Sequence, residues 1–212
     1  MSDGRSLRDI KRERTKQSLA ETAVRLFLER GFDATSVEDI CWEAQYSVSS
    51  FFRHFRSKED VVFYDERDWM VRLRELVENR GDQPLWDAIR DAVFERTVAF
   101  YDGDPEVARA RLRLWIEVPA LARRYAEICV AWEEVIAGII VEELGPDLAN
   151  DLYPQIAAGA ILAAARAGVR KEVLEGGSVV THIQAGLDLI EPALREPPVA
   201  VTTRRGRRGA TG

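Results

Sequence analysis

The run Ser47-Val48-Ser49-Ser50 holds the side chains best suited to chemistry in this chain, and the chemistry they suit is recognition. Small side chains at the start of a helix let it lie deep in a DNA major groove. The hydroxyls of Ser47, Ser49 and Ser50 can meet base edges or phosphate oxygens, and Val48 can touch a thymine methyl. Arg53 and His54 follow, long enough to reach the sugar–phosphate backbone. Lys58 is expected in the first turn of the next helix. The helix dipole disfavours a cation there by about a few tenths of a kcal/mol, unless a phosphate lies beside it.

Catalytic arrangements find no support. The two histidines, His54 and His182, stand far apart, as do the two cysteines, Cys41 and Cys129. No Cys/His metal spacing, Gly-rich phosphate loop or Ser/His/Asp set accompanies them, so the reading is a non-enzyme with no cofactor and no metal. Glu133-Glu134 and Glu142-Glu143 read as solvated helix faces. Two distant thiols make no disulfide framework and suit a reducing compartment. The N-terminal segment is charged, and the longest apolar stretch, 156–165, is closed by Arg166. A membrane span needs roughly 20 apolar residues, so a soluble, cytoplasmic protein is expected.

Positioning the recognition run requires helices. Apolar residues recur every three or four positions throughout, and strand-like alternation is absent, so the fold class is all-α. Gly and Pro punctuation marks nine helices, near 12–30, 36–44, 47–55, 57–80, 84–101, 105–118, 119–144, 153–174 and 178–194. Thr35 and Glu38 are expected to form a capping box before the second. The second and third, joined by Ala44-Gln45-Tyr46-Ser47 behind a longer helix, have the layout of a helix-turn-helix. Leu19, Ala23, Leu26, Phe27, Val37, Ile40, Tyr46, Phe51 and Phe55 would form its core. Residues 1–56 are therefore taken as a DNA-binding head, 57–196 as a helical body, and 197–212 as an Arg/Gly-rich disordered tail.

Charge supports that division. Residues 1–60 hold 11 Lys/Arg and 11 Asp/Glu, whereas residues 61–201 hold 15 against 25. The net charge of -6 belongs to the body and does not exclude DNA at the head.

Over residues 15–62 the chain resembles the DNA-binding domain of the TetR family. The matching pieces are Leu26-Phe27, Arg30-Gly31-Phe32, Ala34-Thr35-Ser36-Val37-Glu38-Asp39-Ile40, Ser50-Phe51-Phe52-Arg53-His54-Phe55 and Ser57-Lys58-Glu59-Asp60. The resemblance implies that Thr15 and Ser36 touch phosphates, that the third helix reads bases, and that Lys58 holds a phosphate. Two positions depart from it. Gln45 stands where glycine is usual, which implies backbone strain. Phe52 stands where a phosphate-donating Tyr is common, and it has no hydroxyl. These departures motivate an alternative, an all-helical lipid- or acyl-CoA-binding protein with a vestigial helix-turn-helix.

The resemblance also implies a ligand-responsive repressor that binds a palindromic operator on double-stranded DNA. The segment 111–121 with Trp132-Glu133-Glu134 resembles the mycofactocin-system regulator subgroup, which implies an acyl-CoA or similar long apolar effector. Trp69, Trp86, Leu112, Trp115, Tyr125, Cys129 and Trp132 would line its cavity, since aromatic-walled gaps between helices are common ligand sites. Arg109, Arg111, Arg113, Arg123 and Arg124 would stand at its mouth for an anionic head group. The eighth helix is rich in Ala and Gly and, with the ninth, would form the homodimer.

Overall fold

The computed structural model describes residues 6–100, 105–145, 147 and 151–195. The expected end of the fifth helix at Tyr101, the Asp104 start of the sixth and the Arg/Gly tail lie outside them.

The first helix, α1 (Leu7–Arg30), starts earlier than expected because Ser6 and Asp9 form a reciprocal capping box. It buries Leu19, Ala23, Leu26 and Phe27 on one face and ends at Gly31, whose φ of 90° suits a residue without a Cβ. The second, α2 (Val37–Ala44), is capped by Ser36 with Asp39, one position later than the expected Thr35 and Glu38. Thr35 is instead buried, and its hydroxyl donates to the Gly31 carbonyl at 2.9 Å. The short α3 (Val48–His54) has Ser47 as its N-cap, the Ser47 hydroxyl accepting from the Ser50 amide. Between α2 and α3, Gln45 adopts φ 58°, ψ 40°, the left-handed conformation that glycine takes most easily, and its amide closes onto Cys41 and Trp42. The helix-turn-helix therefore forms despite the departure.

The next helix does not begin at Ser57. A 3-10 segment, Asp60–Phe63, comes first, and α4 spans Glu66–Glu78. Val61, Val62 and Phe63 are all buried. Successive side chains of such a segment point in three different directions, so burial of all three means it is covered on every side, Phe63 for example by Trp115 and Tyr125.

The body comprises α5 (Leu85–Phe100), α6 (Pro105–Glu117), α7 (Pro119–Leu144), α8 (Tyr153–Glu175) and α9 (Val179–Arg195). Its close approach is α8 on α9. A Cβ on Gly168 would lie 2.6 Å from Ile183, and one on Gly186 would lie 3.2 Å from Ala164. Part of the small-residue content of α8 thus serves packing within the chain, against α9. Among the described residues no helix is long and apolar enough to cross a membrane.

Candidate nucleic-acid interface and body cavity

On α3 the side chains separate by face. Ser49, Phe52 and Arg53, spaced by three and four residues, share one exposed surface, with Phe52 54% exposed. Ser47 is exposed at the helix start, though its hydroxyl is engaged by Ser49 at 3.0 Å. Val48 is half-buried against the core. Ser50 departs from expectation. It is 6% exposed and receives the Arg53 guanidinium at 3.1 Å, so its hydroxyl orients Arg53 instead of facing outward. His54 turns the other way, into a groove lined also by Arg12, Lys16 and Asp68, where burial first and then Arg12, Arg53 and Lys16 push its pKa below the ordinary value.

Three positions that resemblance assigns to phosphates are also placed. Ser36 is exposed at the N-terminus of α2, its hydroxyl paired with Asp39. Thr15 is half-buried and donates to the Lys11 carbonyl at 3.0 Å. Lys58 lies in a turn, so the helix-dipole argument for it does not apply. Its ammonium donates to the carbonyls of Phe32 at 2.7 Å and Thr35 at 2.9 Å and sits 4.1 Å from the Phe32 ring centre. Lys58 thereby fixes the α1–α2 loop that sets the angle of α2.

The body holds a half-open cavity of about 130 Å³ between α4, α5, α6, α7, α8 and α9. Trp69, Leu112, Trp115, Tyr125, Cys129 and Trp132 line it. Trp86 does not; it is buried elsewhere, near the start of α5. Aromatic rings pack along one wall, with Trp115 5.2 Å from Phe100 and 5.1 Å from Tyr125 between ring centres. Burial pushes the Tyr125 hydroxyl and the Cys129 thiol above their ordinary pKa values, so both are protonated at neutral pH.

The expected ring of arginines at a cavity mouth is absent among the described residues. Arg109 pairs with Glu106 and Glu172, Arg124 pairs with Asp60 and Glu127, and Arg113 and Arg123 are exposed away from the cavity. The arginine that does line it, Arg96, was not anticipated, nor was Glu66. Spacing alone did not distinguish them, because each belongs to a run of charged residues typical of a wet helix face.

These two belong to a buried charged cluster. Arg96 donates to Glu66 at 2.7 Å and lies 3.4 Å from Asp65. The other Glu66 oxygen accepts the Trp132 indole N–H at 3.0 Å. Asp65 accepts Arg111 at 2.9 Å, and Arg111 also donates twice to the Val62 carbonyl, at 2.9 and 2.6 Å. Burial raises the Asp65 pKa, but Arg96 and Arg111 outweigh it and hold the carboxyl below its ordinary value. The cluster therefore links the cavity wall to the 3-10 segment under the helix-turn-helix.

Residues 19–64 match the model of the bacterial regulatory proteins of the tetR family, and residues 83–195 match that of the MftR C-terminal domain. The chain is 28% identical over 205 residues to the transcriptional regulator TcmR of Streptomyces glaucescens, covering 91% of this chain and 89% of that one. It is also 28% identical over 156 residues to a protein of Mycobacterium tuberculosis named as the mycofactocin biosynthesis regulator MftR, covering 73% and 78%. Among solved structures, a TetR-family regulator from Syntrophomonas wolfei superposes with a TM-score of 0.65 at 16% identity, over 89% of this chain and 98% of that one. The SmeT–triclosan complex superposes with a TM-score of 0.60 at 18% identity, over 84% and 90%.

Proposed function

Because the chain belongs to the tetR family of bacterial regulatory proteins, DNA-binding transcriptional regulators, we propose that it is a repressor that holds a palindromic operator as a homodimer and releases it when a small apolar effector enters the body cavity. The observation that carries this reading is the cluster of Asp65, Glu66, Arg96 and Arg111. It touches the cavity at one end and the Val62 carbonyl at the other. An effector acts by binding the released conformation better than the DNA-bound one, and a charged cluster with two arrangements supplies such a difference. Base reading falls to Ser49, Val48 and Ser47, with Phe52 against sugar or a thymine methyl. Arg53, Ser36 and Thr15 serve phosphates, while Lys58 and Ser50 act chiefly by positioning.

Dimerisation is assigned to α8 and α9. On α8 the residues Ile156, Ala160, Ala163, Ala167 and Leu174 recur at alternating three- and four-residue steps, omitting Arg170, and Ile156 is 64% exposed. On α9, Leu189 is 84% exposed. Small residues flanked by exposed aliphatics suit the same stripe on a second copy. The cavity favours a compact effector over a long acyl chain. A dry cavity of roughly 150 Å³ accommodates a single benzene ring, and this one measures about 130 Å³.

The test is selection of binding sites from a random DNA duplex pool by the purified full-length protein. Enrichment of a two-fold symmetric site, with half-sites about 34–36 Å apart and two copies of the chain per site, is expected. No enrichment would remove the operator reading and restore the alternative of a helical binding protein that has lost its DNA.

A further inference from the structure

The cavity has hydrogen-bond donors without acceptors. Arg96 uses one corner of its guanidinium, Nη2, on Glu66 and Asp65. Its Nε and Nη1 have no partner among the described residues, and neither is a sealed buried atom. The guanidinium lies against Trp69 and Phe100, each 5.4 Å from its carbon. The acceptors nearby are occupied. Each Glu66 oxygen already holds a donor.

Charge narrows the ligand further. Asp65 and Glu66 balance Arg96 and Arg111, so the cluster is neutral as it stands. An anion or a cation entering would leave one charge unpaired among aromatic walls, which is unfavourable. A neutral acceptor would not. The aromatic walls favour a flat ring, and the volume of about 130 Å³ allows one ring with a short substituent.

Resting on the effector-cavity reading above, we propose that the cavity takes a neutral single-ring aromatic compound bearing a carbonyl oxygen, received by the unused edge of Arg96. The carbonyl takes the edge that Asp65 and Glu66 leave free, and so acts on the residue that joins the cavity to Asp65 and, through Arg111, to the Val62 carbonyl.

Four probes of similar size test this by calorimetric titration of the full-length dimer: acetophenone, ethylbenzene, benzoate and benzylamine. Acetophenone is expected to bind roughly tenfold tighter than ethylbenzene, as a hydrogen bond to a charged donor contributes, and tighter than either ion. Arg96→Lys keeps the charge but loses the second donor edge. This variant is expected to bring acetophenone down toward ethylbenzene while ethylbenzene binding persists, which shows the cavity is still formed. Operator binding is measured in parallel without any probe. Loss of operator binding by the unsubstituted protein would sink the regulator reading itself. An operator-bound protein that binds the four probes alike, prefers an ion, or binds none would overturn the carbonyl assignment alone.

Discussion

The head and the body use burial in opposite ways. Around Phe51, fully buried, the head packs Leu19, Leu26, Ile40 and Phe55, all apolar and nearly or wholly out of water. Around Trp115 the body leaves about 130 Å³ unfilled and keeps Glu66, Arg96 and Arg111 among the aromatics. A close-packed apolar core has one good arrangement and resists deformation. A cavity beside a charged cluster has more than one, because its ion pairs can exchange partners and its space can be filled. On the proposed reading the difference separates a rigid reader from an adjustable sensor, and the Arg111–Val62 hydrogen bonds would be where one acts on the other.

The largest effect expected is in the rigid half. Phe51→Ala should lower stability by about 3–5 kcal/mol, the usual cost of emptying a packed aromatic site, and abolish operator binding. Thermal unfolding measures it. A cost below about 1 kcal/mol would mean the head core is looser than its burial indicates. Asp65→Asn leaves Arg96 and Arg111 short of a charged partner and should cost less, about 1–3 kcal/mol. Its distinctive outcome is an effector that still binds but no longer shifts operator affinity. Wild-type coupling in that variant would place the link elsewhere.

Acid probes the same cluster. The folded-state pKa of Asp65 is depressed, so its stabilisation is complete above the unfolded-state value, about 3.9, and is lost as pH falls through the lower folded value. Chemical denaturation should show wild-type stability falling below about pH 4 more steeply than that of Asp65→Asn. Parallel curves would remove Asp65 from the account of acid lability. On the DNA side, Arg53→Ala should flatten the salt dependence of operator binding by about one phosphate contact, whereas Ser49→Ala should change base preference instead. The smallest effect belongs to the turn. Gln45→Gly relieves a left-handed residue and should stabilise by up to about 1 kcal/mol, with no change in operator sequence.

How much of this was legible in the sequence also differs between head and body. Leu19, Ile40 and Phe51 each belong to a helix whose own apolar residues recur at helical spacing, and short-range pattern was enough to place them. Ser50 misled because its neighbours Ser47 and Ser49 are exposed, and a seven-residue helix buries one side regardless of residue type. Lys58 misled because its partners, the carbonyls of Phe32 and Thr35, are more than twenty residues away. In the body, Trp115 and Trp132 announced themselves by size. Arg96 and Glu66 did not, since a charged residue turned inward is set by tertiary contacts across α4, α5 and α7 that no local pattern carries. Trp86, equally large, packs outside the cavity for the same reason.

The most direct test of the regulator reading is a genome-wide footprint of the tagged full-length protein in its own cells. A few sharp sites are expected, each at a promoter and each with two-fold symmetry. Absence of any enriched site would contradict it, and diffuse coverage of the chromosome would contradict it equally.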